Sequence, residues 1–202
     1  MDTIVVDLGC FPHRHEISIE PLIETYRPDV LFGFDPWPGL TQGETRVGET
    51  RVILERKAAW IEDGEIEYAH LRGIRAWDST VMRAKNLRGE WSDARSRKIV
   101  RVPCFDFSEW IRTLPSPPVV KMDVEGAEFP ILERMVERRA DTHVAELLVE
   151  WHDDKMESFP GRKERLLDAL RCPVADWHPE RPSHVREVLG LLPLKRRLRG
   201  AG

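Results

Sequence analysis

Residues 119–128 read VVKMDVEGAE, an apolar run that breaks abruptly into three carboxylates spaced around a glycine. No other stretch restricts the fold as tightly. A short apolar run bounded by turn residues has the character of a strand covered on both faces, and such strands belong to parallel sheets flanked by helices. Just beyond it, Ile131, Leu132, Met135 and Val136 recur at helical spacing, with Pro130 acceptable only in that helix's first turn. Asp123, Glu125 and Glu128 are therefore expected at the carboxyl end of a strand, where open α/β sheets collect their ligands.

The same alternation runs through the chain. Residues 3–8 (TIVVDL) read as a buried strand ending at Asp7-Leu8-Gly9, and Ile19, Leu22, Ile23 and Tyr26 predict a helix that ends before Pro28. Residues 30–34 (VLFGF) form a second strand, stopped by Asp35-Pro36-Trp37-Pro38. A polar connection over 39–50 leads to a third strand over 51–60 and another over 65–70. Residues 71–98 are charged and poorly periodic, a surface insertion or a mobile segment over the site. Strand character returns over 99–105, and Asp106 and Glu109 have capping-box spacing before a helix carrying Phe107, Trp110, Ile111 and Leu114. Residues 144–151 are a further strand, ending in Glu150-Trp151-His152-Asp153-Asp154. Leu166, Leu167 and Leu170 mark a last helix, and residues 188–194 an edge strand. This order predicts one α/β domain over residues 1–202, with a mostly parallel central sheet and helices on both faces.

Composition narrows the classes of function. No apolar run reaches the roughly 20 residues that a membrane helix requires, and the start, MDTIVVDLG, reads as a strand and not as a signal peptide. Cys10, Cys104 and Cys172 lie far apart with no CxxC pair, which predicts a reduced, cytoplasmic setting. The net charge of −4 argues against a nucleic-acid binder that works by bulk positive charge. The basic tail over 195–202 reads as a solvated terminus.

The opening strand–loop–helix–strand–acid unit is the kind that binds a nucleotide-like cofactor, with Asp7, Gly9 and Cys10 at the first turn and Asp35 and Pro36 at the second strand's end. An acid there can accept the ribose hydroxyls. The glycine fingerprint of dinucleotide sites is not satisfied, because Phe11 and Pro12 stand where further glycines would lie. Close approach of a pyrophosphate is disfavoured, and a cofactor without phosphates, S-adenosylmethionine, fits better.

The stretch Lys121-Met122-Asp123-Val124-Glu125-Gly126-Ala127-Glu128, followed by Ile131-Leu132, resembles the central signature of FkbM-type methyltransferases, which are S-adenosylmethionine-dependent O-methyltransferases. VVDLG at 5–9, FDPWP at 34–38 and LLVEWH at 147–152 fall in that family's order. The resemblance implies a Rossmann-like class I methyltransferase fold, and it implies that Ala58, in the small-residue step after the third strand, lies against the adenine. The loop GCFPHRHE departs from the family in lacking its usual second glycine.

Transfer to a hydroxyl requires that the acceptor lose a proton as it attacks the sulfonium methyl, so a base or a metal at the strand end is useful. The catalytic candidates are Asp123, Glu125 and His152. Two readings stand side by side. In one, Asp123 with Glu150 and Asp153 holds a hard divalent cation that lowers the acceptor's pKa. In the other, preferred here, His152 or Asp123 is a metal-free base. Glu128 reads as an acid that favours the helix start electrostatically. His13 and His15 read as loop histidines without a third metal ligand, and Cys104 as a small buried residue. The reading is an O-methyltransferase acting on a hydroxyl of a small molecule or glycan. Its rivals are a non-catalytic cofactor-binding or scaffold protein and, least favoured by charge, a nucleic-acid methyltransferase using the basic tail.

Overall fold

The computed structural model describes residues 2–10, 18–70, 83–85, 91–93, 98–152 and 161–177. In chain order the elements begin with β1 (Ile4–Leu8), α1 (Ile19–Tyr26), β2 (Val30–Phe34), β3 (Gly43–Val47), β4 (Thr50–Glu55), β5 (Ala58–Trp60) and β6 (Gly64–His70). They continue with β7 (Arg83–Lys85), β8 (Trp91–Asp93), β9 (Lys98–Asp106), α2 (Phe107–Ile111), β10 (Val119–Met122), α3 (Glu128–Arg138), β11 (Glu146–Val149), α4 (Arg162–Ala169) and β12 (Val174–Asp176).

The apolar runs found in the sequence become the middle of a seven-stranded sheet with the order β12-β11-β10-β1-β2-β4-β3. All neighbours in it pair parallel except β3, which lies antiparallel on β4 at the edge. The strand order reverses at β1, which has β2 on one side and β10 on the other. Such a switch point opens a crevice at the carboxyl ends of the strands, because the connections on its two sides depart toward opposite faces.

Alternation along the strands divides the core. Ile4, Val6, Leu8, Val120, Met122, Leu147 and Val149 pack with Phe107, Ile111, Ile131, Leu132, Met135 and Leu166, so α2, α3 and α4 cover one face. Val5, Leu31, Val119 and Leu148 pack with Leu22 of α1 on the other. Helices on both faces are thus as expected. Among the described residues no helix is long and apolar enough to cross a membrane.

The stretch expected as one strand over 51–60 is two strands in two sheets. The chain turns at Lys57, whose N–H donates to the Glu55 carbonyl at 3.1 Å, and β5 then pairs with β9 in a three-stranded sheet with β6. The polar connection over 39–50 contains β3, exposed at every residue, and therefore without an apolar signature. Asp106 caps α2 through the N–H groups of Ser108 and Glu109. The reciprocal half of the expected capping box is supplied differently, since the Asp106 N–H donates to Asp63 Oδ1 at 3.1 Å. Of the segment over 71–98, β7 and β8 pair antiparallel with each other. The rest of it before β9, the edge strand expected over 188–194 and the basic tail lie outside the described residues.

Candidate active site

The tips of β1, β2, β10 and β11 meet around one glycine. Gly9 follows β1 with φ +77, and a Cβ built on it would stand 1.7 Å from the Asp123 carbonyl oxygen. Only glycine fits there, for backbone conformation and for space alike. The Gly9 N–H donates to the Phe34 carbonyl at 2.9 Å and the Asp123 N–H to the Leu8 carbonyl at 3.0 Å. The first loop is thereby held against both neighbouring strands, and the two candidate halves of the site share a backbone wall.

Beneath that wall lies Lys121, on β10 and fully buried. Its Nζ donates to the Gly9 carbonyl at 2.9 Å, with Asp7 Oδ1 at 3.1 Å and Asp123 Oδ2 at 3.4 Å. Burial alone would lower the lysine's pKa, but the carboxylates of Asp7 and Asp123 outweigh it and hold the ammonium above its ordinary value. Asp7, also fully buried, accepts from Ser18 Oγ at 2.5 Å through its other oxygen. Asp7 therefore faces inward as the counter-ion of Lys121, and it positions the loop from below. Lys121 had no assigned role in the sequence, although a lysine inside an apolar central strand must find a carboxylate.

Beside the Gly9 turn, Asp35 follows β2 and is 6% exposed, with Oδ1 accepting the Trp37 N–H at 2.8 Å. Burial pushes its carboxyl up to about 7, against the pull of that N–H. Pro36 is half-buried beside it. Cys10 is buried with its sulfur against Gly33, where an added Cβ would lie 2.9 Å away. Burial, then the charges of Asp7 and Asp35, raise its thiol well above the ordinary range, so it packs and does not ionise. Ala58 is buried with Tyr68, Val102 and Cys104 in the small sheet's own cluster. Cys104 is the small buried residue expected.

On the other side, Asp123, Glu125, Glu150 and His152 converge. His152 is 5% exposed, and its Nε2 stands 3.8 Å from Asp123 Oδ1, 3.8 Å from Glu125 Oε2 and 3.7 Å from Glu150 Oε1. One ligand atom each from Asp123, Glu125 and His152 lie within 4.8 Å of one another, as a metal-binding group would. Burial, with the negative charges of Asp123 and Glu125 added, pushes Glu150 up to about 7 despite the opposing pull of His152 and Lys121.

Glu128 aims the histidine. It is fully buried, accepts the Val124 N–H at 3.0 Å and the Gly126 N–H at 2.9 Å, and meets His152 Nδ1 at 2.8 Å. Both its oxygens already accept backbone N–H groups, so the imidazole donates from Nδ1, and Nε2 is turned toward the acids. The expectation that Glu128 serves only the helix start is too narrow: it sits in the first turn of α3, but its partners are the loop before the helix and a histidine 24 residues later in the chain. In that loop Glu125 takes φ +56 and Gly126 φ +104. A non-glycine residue in the left-handed region is the kind of local strain that gathers at functional sites. Asp153, the other expected metal ligand, and His13 and His15 lie outside the described residues.

Comparison with known proteins adds a family. The family model described as "Methyltransferase FkbM domain" matches residues 8–190. No curated protein and no solved structure matches the chain.

Proposed function

This chain belongs to the FkbM methyltransferase family, and on that premise we propose that it moves a methyl group from S-adenosylmethionine to a hydroxyl oxygen of a small molecule or glycan. The domain, on this reading over residues 1–202, has the Rossmann-like class I arrangement, a reading supported by the strand order and by the reversal at β1. The observation that carries the proposal is the placement of the His152 cluster at the β10 and β11 tips, one backbone contact away from the Gly9 turn.

S-Adenosylmethionine would lie over the Gly9–Cys10 turn, with Asp35 accepting its ribose hydroxyls and Pro36 beside them. Asp7 acts from below by holding Lys121, and Ala58, at the start of β5, is assigned to the adenine. The acceptor enters over Asp123, Glu125 and His152. Its oxygen forms the new O–CH3 bond as the S–CH3 bond breaks, and the electron pair stays on sulfur to give S-adenosylhomocysteine. The hydroxyl proton passes to the cluster around His152 Nε2. A fixed strand tip suits this chemistry because methyl transfer depends on in-line positioning.

Calorimetry with S-adenosylmethionine and S-adenosylhomocysteine tests the cofactor half. Release of S-adenosylhomocysteine over a panel of sugars and hydroxylated small molecules tests the transfer half. Both ligands are expected to bind the wild-type chain. Asp123→Asn is expected to keep that binding and to lose transfer by at least about 100-fold. Equal loss of binding and transfer would make Asp123 a cofactor or folding residue, and failure of both ligands to bind the folded chain would leave a non-catalytic protein of the same fold.

A further inference from the structure

We propose that Asp123, Glu125 and His152 form a site for a single divalent cation, with Glu128 as the positioning residue that fixes the imidazole. The separations carry the argument. At 3.7–3.8 Å, the distances from His152 Nε2 to the carboxylate oxygens of Asp123, Glu125 and Glu150 are each longer than a hydrogen bond. Ligand atoms held about 2.0–2.4 Å from one ion lie roughly 3 Å apart when adjacent and roughly 4.8 Å when opposite. The 3.7–3.8 Å separations from Nε2 fall between those two limits, and one ligand atom each from Asp123, Glu125 and His152 lies within 4.8 Å of the others.

The histidine points the same way independently. It is nine-tenths buried, and its Nδ1 is committed to a fully buried carboxylate that two backbone N–H groups also hold. An imidazole whose far nitrogen is anchored to a carboxylate, with the near nitrogen aimed at further carboxylates, is the arrangement in which metal-bound histidines are found. Electrostatics agrees. Three carboxylates crowd one nitrogen, and among the described residues Lys121 meets Asp123 and shares its charge with Asp7.

One nitrogen and two or three carboxylate oxygens suit Mn2+, which accepts both donor types; Mg2+ prefers oxygen alone. Asp153, which the sequence offered as a ligand, lies outside the described residues. The role of the ion in catalysis rests on the methyltransferase reading: bound to the acceptor's oxygen, it would make the hydroxyl proton easier to lose. Binding of the ion does not rest on that reading.

The test uses the full chain and MnCl2. Disappearance of the free-ion electron paramagnetic resonance signal should report one Mn2+ per chain, and electron spin-echo modulation should show a single histidine nitrogen on the bound ion. Glu125→Gln, at a partly exposed position, should weaken Mn2+ binding at least tenfold, and Glu128→Gln about 10- to 100-fold, both without changing S-adenosylhomocysteine affinity. His152→Gln should remove the nitrogen modulation, with circular dichroism confirming that each variant is folded. Mn2+ bound without nitrogen modulation, or held equally tightly by Glu125→Gln, overturns the site. S-Adenosylhomocysteine binding without Mn2+ binding also overturns it, and leaves a methyltransferase with His152 as its metal-free base. Mn2+ binding without S-adenosylhomocysteine binding keeps the cation site and removes the methyltransferase reading.

Discussion

The two halves of the cleft handle buried charge in opposite ways. At the tips of β1 and β2, Asp7 is satisfied by Lys121 and Ser18, and Asp35 by a backbone N–H. At the tips of β10 and β11, Asp123, Glu125 and Glu150 face a single imidazole. The first half is a closed set of pairs, which fixes a loop. The second gathers three carboxylates around one imidazole, and Lys121 reaches Asp123 alone among them. Lys121 is the bridge between them, since Asp7 and Asp123 both depend on it.

Breaking that bridge should have the largest effect. Lys121→Met leaves Asp7 a buried carboxylate without its counter-ion and removes the donor to the Gly9 carbonyl. Loss of one partner of a buried pair costs about 3–5 kcal/mol, to be read as a fall in the urea midpoint. Adding Asp7→Asn should recover much of the loss, because the double variant no longer buries an unpaired charge. If Lys121→Met alone unfolds at the wild-type midpoint, the two halves are not joined through this lysine.

Gly9→Ala attacks the shared wall instead. An alanine at φ +77 carries strain of about 1–2 kcal/mol, and its Cβ would overlap the Asp123 carbonyl unless the β10 tip moves. Overpacking of this kind adds about 1–3 kcal/mol. Both halves should suffer together: weaker S-adenosylhomocysteine binding in calorimetry and slower transfer in the S-adenosylhomocysteine release assay. A variant that lost only transfer, with stability intact, would show that the β1 turn is not braced on β10.

How legible the molecule was in its sequence divides along related lines. Strands covered on both faces announce themselves, and residues 30–34 coincide with β2. β3 has no buried residue, and β12 has three residues, one of them buried; neither is long or apolar enough to rise above its surroundings. The turn at Lys57 was hidden because Arg56 and Lys57 interrupt the apolar pattern only briefly, whereas the change of sheet depends on where β9 lies. Asp123, Glu125 and His152 meet because their two strands, β10 and β11, are neighbours, a pairing the sequence leaves open. Glu128 was underrated because a first-turn acid already has a sufficient local explanation, and its partnership with His152 is a fact of the folded chain. Lys121 is obscured for a different reason. Its place in a motif hides its burial, and a lysine buried in a central strand requires a carboxylate, here Asp7 and Asp123.

The subtlest test sets the two acids near neutrality against each other, Asp35 on one side and Glu150 on the other, each pushed up to about 7. For Asp35 the folded value exceeds the ordinary 3.8, so between those values the folded chain holds a proton that the unfolded chain has released. Its contribution to stability is complete below the unfolded value and is lost as pH rises through about 7. Raising pH from about 6 to about 8 should therefore remove about 1.4 kcal/mol that Asp35→Asn does not lose, measured as the difference between the two urea curves at each pH. If ionised Asp35 is what accepts the ribose, S-adenosylhomocysteine affinity should move the other way and rise up to about tenfold over the same interval. Asp35→Asn should flatten that rise, whereas Glu150→Gln, in the other half of the cleft, should leave it in place. A rise abolished by Glu150→Gln and kept by Asp35→Asn would exchange the roles assigned to the two sides.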